Sequence, residues 1–239
     1  MRVWRVAVPL VAASAGLLFT TSAVASHGVD LRNDRVRVTD LIDREQQSAA
    51  QAERQYAALR AQMDAEAATA AAGDARVKAA ADAAAALAPA AGLTAVHGPG
   101  LVVSLDDAPL KPGRPLPRGA GPNDVVVHQQ DVQAVVNALW AGGAEALTIM
   151  GERVVSTSAV RCVGNTLLLH GRVYAPPFVI GAIGDPDQLL KSIAAEPDVQ
   201  IFQEYVAAYG LGFTTKTQRD LTMPAYTQPL GLTHAGAAS

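Results

Sequence analysis

The residues in this chain that can do chemistry are few, and their spacing keeps them apart. There is one cysteine, Cys162, in 239 residues. A single thiol closes no intrachain disulfide, and no cysteine cluster is present to hold zinc. Cys162 therefore reads as a small, buried apolar residue. His97, His128 and His170 are far apart in the sequence and show no metal-ligand spacing. Asp106 and Asp107 are adjacent, and neighbours on a strand point to opposite faces, so they read as a strand-end turn rather than a paired acid and base. No G-x-S-x-G elbow, phosphate loop or dinucleotide fingerprint occurs. No catalytic residue, metal ligand or cofactor site is assigned, and the chain is expected not to be an enzyme.

What remains is binding chemistry. Glu145 and Arg153 flank a hairpin and are placed to pair across it, either as a strand-edge ion pair of small energy or as part of a binding site. Asn137 lies inside an amphipathic helix and reads as a polar helix-packing group. Lys111, Arg114 and Arg118 form a local basic cluster in a Pro/Gly loop. That loop reads as solvated, with contact to anionic wall polymer or lipid headgroups as the alternative. The net charge of -3 supplies no basic field, so nucleic acid is excluded as a partner.

The elements that must position these residues lie in the second half. From Leu101 to Leu105 the pattern predicts a buried strand after Gly98-Pro99-Gly100, and Val125 to His128 a short extended piece. Asp131 to Ala141 switches to helical period through Val132, Val135, Val136, Leu139 and Trp140. Ala146 to Met150 and Arg153 to Ser158 form a hairpin about Gly151-Glu152. A turn at Gly164-Asn165 leads to a strand over Thr166 to Tyr174, and another follows over Phe178 to Ile183. Asp185 with Pro186 caps a helix containing Leu189, Leu190 and Ile193. A second helix runs from Asp198 to Tyr209 and stops at Gly210. Gly212 to Gln218 and Leu221 to Met223 read as terminal strands. This order contains a ferredoxin-like βαββαβ pattern with additional strands, so the fold class is α/β. That pattern hosts many functions and assigns none.

Ahead of the domain the composition changes. Residues 1–5 carry Arg2 and Arg5, and an uncharged apolar run follows over residues 6–25. A helix of about 20 residues rises about 30 Å, the thickness of a bilayer core. The run reads as a signal-anchor; cleavage at Ala23-Val24-Ala25 is the alternative. The short basic N-terminus stays inside and the rest is exported. This gives a single-pass cell-membrane protein whose C-terminal domain is extracytoplasmic. Residues 36–88 read as a helical stalk with a 4,3 seam through Val38, Ile42, Ala49, Ala52, Tyr56, Leu59, Met63, Val77 and Leu87. Glu45, Glu66 and Gly73 interrupt that seam. A parallel coiled-coil homodimer and a solitary alanine-rich helix both remain open. Residues 98–226 form the globular domain, and residues 227–239 a frayed tail.

Several motifs together resemble one family. They are Gly98-Pro-Gly-Leu-Val-Val103, Val125 to Asp131, Asn137-Ala-Leu-Trp-Ala-Gly-Gly-Ala-Glu-Ala146, Gly151-Glu-Arg153, Arg161 to Leu169, Pro176-Pro177 and Ala182-Ile-Gly-Asp185. Over about residues 36–225 the chain resembles the DUF881, or YlxW-like, family of bacterial membrane-anchored proteins, in its actinobacterial branch. The resemblance implies one anchor, a coiled-coil stalk and an extracytoplasmic α/β domain without established catalytic residues. It also implies a link to cell division or cell-wall synthesis. Met150 departs from the family, which often has asparagine there. The function expected is a membrane-anchored scaffold or adaptor for envelope or division proteins; the alternative is a sensor of a small ligand or wall polymer.

Overall fold

A computed structural model describes residues 8, 12, 14–18, 20, 33–110, 113, 115–163 and 165–228. Most of the apolar run at 6–25, the Ala23-Val24-Ala25 motif, Lys111, Arg114, Gly164 and all of the tail after Gln228 lie outside the described residues. Among the described residues no helix is long and apolar enough to cross a membrane. The chain divides into two compact units, Met1–Arg54 and Gln55–Ser239.

The expected stalk is helical as α1 (Asn33–Gly73) and α2 (Ala75–Leu87). The interruption falls at Gly73-Asp74, where the seam lacks a side chain. Asp74 is extended there and caps α2 by accepting the Arg76 N–H at 2.8 Å.

The domain that follows is a mixed α/β structure built on two antiparallel sheets. Its elements are β1 (Val96–Asp106), a 3-10 turn (Pro122–Val125), α3 (Gln129–Ala141), β2 (Ala146–Ile149), β3 (Glu152–Val154), β4 (Val160–Val163), β5 (Thr166–Leu169), β6 (Arg172–Tyr174), β7 (Phe178–Ile183), α4 (Pro186–Ala195), α5 (Pro197–Tyr209) and β8 (Gly212–Met223). The larger sheet has the order β3-β2-β7-β1-β8. Within it β7 separates β2 from β1, and β1 separates β7 from β8. Helices make both crossovers, β1-α3-β2 and β7-α4-α5-β8, which is the split βαβ order. β3 is added at one edge. The smaller sheet, β4-β5-β6, is inserted between β3 and β7.

One face of the larger sheet carries Leu101, Val103, Leu105, Leu147, Ile149, Phe178, Ile180 and Ala182 against Val132, Val135, Leu139, Leu189, Ile193, Val199 and Phe202 of the helices. The period-2 and helical-period positions meet here. Each Leu or Ile so buried contributes about 1.5–3 kcal/mol. Leu167 and Leu169 of β5 join the same core. On the other face the far end of the β1–β8 ribbon folds over. Its register shifts between Gly98 and Gly100, and Val96, Leu221 and Met223 then pack on Ala146 and Ile183. Gly100 permits this approach: a Cβ there would run into the Ala182 carbonyl.

Several sequence expectations change. Gly98-Pro99-Gly100 lies inside β1 rather than before it, because β8 continues pairing past the bulge. For the same reason the two terminal strands are one, β8. The strand expected over Thr166 to Tyr174 is two strands joined by a tight turn at His170-Gly171, both at positive φ. Its partner β4 was not anticipated. Val125 closes a 3-10 turn instead of opening an extended piece.

Candidate functional site

The site grows from α3. Its first turn is tied by Asp131, whose Oδ2 accepts the His128 N–H at 2.7 Å. Burial raises the Asp131 carboxyl above its ordinary value, and the hydrogen bond with His128 opposes that rise. With Val132, Val135 and Leu139 buried, Gln133, Asn137 and Trp140 are turned outward on α3. Gln133 Nε2 donates to Asn137 Oδ1 at 3.0 Å. Trp140, expected on the apolar face, is 40% exposed. Eight residues after Val132 the helix has rotated about 80° past that face. At the C-terminal end of α3, Ser192 of α4 donates to the Ala138 carbonyl at 2.7 Å, and Gly142 leaves room for its Cβ.

A two-residue turn, Met150-Gly151, reverses β2 into β3 with both residues at positive φ. Met150 N–H donates to the Val179 carbonyl at 2.8 Å. The turn brings Arg153 opposite Thr148, and β3 becomes the edge of the sheet. Arg153 is 5% exposed. Its Nη1 donates to the carbonyls of Thr94 at 3.3 Å and Pro224 at 3.2 Å. Burial lowers the guanidinium pKa. These bonds join β3 to the segment that follows α2 and to the segment that follows β8. The same two segments meet where Tyr226 N–H donates to the Gly92 carbonyl at 2.8 Å.

Between these parts runs a groove of 560 Å³. One wall is α3, with Gln133, Asn137 and Trp140. Another is the turn Ala90–Gly92. The third is β3 and its continuation, Arg153 to Ser158, and Glu145 also lines the groove. The volume falls in the range of ligand sites, about 300–1,000 Å³. A second hollow, lined by His128, Asp131, Ile201 and Tyr205 among others, has only 180 Å³.

Glu145 and Arg153, expected to pair across the hairpin, line one groove but form no ion pair among the described residues. Arg153 turns to backbone carbonyls instead, and Glu145 stays exposed. The carboxylate on β3 that does bind is Glu152, which accepts from Arg172 Nη1 at 3.2 Å and Tyr174 Oη at 3.1 Å. Burial, then Glu152, raise the Tyr174 pKa. Asn137 is a wall of the groove. Of the three cations of the basic loop only Arg118 is described, and it is exposed.

Cys162 is exposed, not buried. It sits in β4 over the first turn of α3, where its Sγ accepts the Gln129 N–H at 3.0 Å and its N–H donates to Gln129 Oε1 at 2.9 Å. Asp106 and Asp107 do end a strand: Asp107 Oδ1 accepts the Val127 N–H at 2.8 Å. The histidines are separate: His97 Nδ1 meets Asp220 at 2.9 Å, His128 opens α3, and His170 Nε2 meets Ser158 Oγ at 3.3 Å. Ser158 Oγ also accepts the Val155 N–H at 3.1 Å, which fixes the turn after β3. The parts of the groove missed in the sequence include the Ala90–Gly92 wall, Gln133, Trp140, Val155 and Ser158. Each is placed by tertiary contacts, and only the Pro89 and Gly92 punctuation hinted at the first.

The family model described as "Bacterial protein of unknown function (DUF881)" matches residues 83–236. The chain belongs to the DUF881 family. It is 36% identical over 102 residues to UPF0749 protein YlxW of Bacillus subtilis, covering 43% of this chain and 42% of that protein. It is 28% identical over 157 residues to UPF0749 protein Rv1823 of Mycobacterium tuberculosis, covering 64% of this chain and 51% of that protein. The matches thus span about half, or less, of these relatives. A crystal structure of an uncharacterized conserved protein from Mycobacterium tuberculosis is 26% identical, with a TM-score of 0.48, covering 64% of this chain and 98% of that one. In DUF881 terms, the segment from Asn137 to Ala146 packs α3 on α4 and builds one wall of the groove. Gly151-Glu-Arg153 turns the edge strand and supplies the groove's buried cation.

Proposed function

We propose that this DUF881 protein is a membrane-anchored, extracytoplasmic scaffold or adaptor. Its apolar N-terminal run holds it in the membrane, its helical segment is a spacer, and its α/β domain docks a protein of the envelope, within the division or wall-synthesis machinery. The observation that carries this reading is the groove itself. It is open, Val136, Val154 and Val155 give it apolar lining, and it presents an exposed tryptophan near an edge, β3, that among the described residues pairs with no further strand. Interfaces draw their binding energy from a few such aromatic anchors. The described geometry of the groove offers recognition groups and no assembled nucleophile and base.

A photo-crosslinking amino acid at Asn137 in living cells tests the reading. The expected product is one protein partner, lost when Val155→Arg fills the groove. Recovery of glycan or small molecules alone would sink the adaptor and favour a sensor. Activity that disappears on His170→Asn, with folding intact, would instead revive an enzyme.

A further inference from the structure

We propose that the groove takes an extended segment of its partner protein bearing one acidic residue, with that carboxylate seated on Arg153 and a nearby apolar side chain on Trp140. This inference deepens the docking reading and rests on it. The first observation is the edge. β3 pairs with β2 on one side, and among the described residues no strand pairs with its other side. An extended chain recognises such an edge through its backbone and places alternate side chains into neighbouring pockets.

The second observation is the charge. Arg153 is nine-tenths buried and lines the groove, yet among the described residues no carboxylate lies within 4.0 Å of it. Among the described residues its hydrogen-bond partners are two carbonyls, both held by Nη1. A guanidinium has five N–H donors in a planar fork that matches a carboxylate. Carbonyl dipoles satisfy two of them and leave the unit charge uncompensated in a poorly solvated place. The depressed pKa of Arg153 reflects that desolvation. An entering carboxylate reverses the cost, and low local dielectric strengthens the pair. The carbonyl ties have their own structural role, holding Arg153 in position whether the groove is filled or empty.

The third observation sets the neighbours. Trp140, Val136, Val154 and Val155 give the lining apolar area, and Glu145 is exposed on it. Glu145 repels a second acid, so the segment carries a single acid among apolar or basic residues. A basic segment without that acid meets the buried cation. A nucleic-acid strand could stack on Trp140, but the net charge of -3 opposes its approach.

The test is selection of phage-displayed, fully randomised nine-residue peptides on the purified full chain. The expected result is enrichment of aspartate or glutamate at one position, with an apolar residue at the adjacent one, because Arg153 lies on the face of the sheet opposite Val154 and the helix that carries Trp140. In the selected peptide, changing the acid to its amide should weaken binding about tenfold or more. Trp140→Ala, which leaves the Arg153 ties intact, should weaken it by about the same factor. Arg153→Lys should shrink the acid-over-amide ratio; if that variant fails to fold, the amide peptide and Trp140→Ala decide alone. Selection without an acid, or equal binding of acid and amide, overturns the inference. Cross-links from Asn137 that persist in cells while the acid preference is missing sink the acidic segment only. An acid preference without cellular cross-links keeps the site and sinks the docking reading.

Discussion

Arg153 joins stability to recognition in one side chain. Its two carbonyl bonds fasten the edge of the sheet to segments that lie far away in sequence. Arg153→Ala removes charged hydrogen bonds and leaves a cavity, and should lower unfolding free energy by about 2–4 kcal/mol. Urea denaturation of the full chain measures this, and an unchanged midpoint would contradict the fastening role. Asp131 makes a pH prediction with a definite sign. Burial holds its carboxyl pKa above the ordinary 3.8, so the native state binds the proton more tightly than the unfolded state. Its contribution is complete below the unfolded value and is lost as pH rises through the raised one. Asp131→Asn keeps an acceptor for the His128 N–H but has no proton to lose. The stability of Asp131→Asn relative to the parent should therefore rise as pH increases from the ordinary carboxylate value of 3.8 upward through the raised one. Thermal melts at several pH values follow it; a falling difference refutes the sign.

At the scale of elements, tight turns decide where the groove's edge lies. Met150 is at φ 54 and Gly151 at φ 82, the pair of positive values that favours Asn-Gly in a two-residue hairpin. An asparagine at this position, which the family resemblance implies, has a conformational reason and no need of a ligand. Methionine is retained here with two contacts in return: it packs against the core, and its Sδ accepts the Val179 N–H at 3.2 Å. Met150→Asn should therefore change stability by no more than about 1 kcal/mol, as better turn propensity offsets lost packing. Met150→Val places a branched side chain in the left-handed region and should cost about 2 kcal/mol. Equal stabilities for the two variants would show that the backbone at Met150 does not govern the hairpin. His170-Gly171 repeats the same geometry between β5 and β6.

At the scale of the whole molecule, the helical segment carries the seam through which two chains would pair. Leu59 is 61% exposed and Met63 is also exposed, although both stand on the 4,3 seam. A seam that buries its apolar side chains only against a second copy accounts for this pattern. In full chains carrying Cys162→Ser, Leu59→Cys should form an interchain disulfide in the membrane, whereas cysteine at the off-seam Ala61 should not. Equal cross-linking at both positions would favour the solitary helix. The anchor and the extracytoplasmic placement belong to the same proposal; topology reporters fused at both ends test them.

The local pattern alone determined the helices at Asp131–Ala141 and Asp198–Tyr209, the helix opened by Asp185-Pro186 that carries Leu189, Leu190 and Ile193, most strands of the larger sheet and the faces they bury. Period, caps and turn residues act over a few positions, so they are legible without a structure. Glu145, Arg153 and Asn137 were legible as polar residues near a hairpin and a helix. Their meeting in one groove was not. Only tertiary structure set Arg153 on carbonyls from residues 94 and 224, exposed Trp140 and Cys162, split Thr166–Tyr174 into two strands, and closed one groove wall with Ala90–Gly92. Each of those outcomes depends on what the fold brings opposite a residue. That is fixed by contacts across long sequence separations, which no local periodicity encodes.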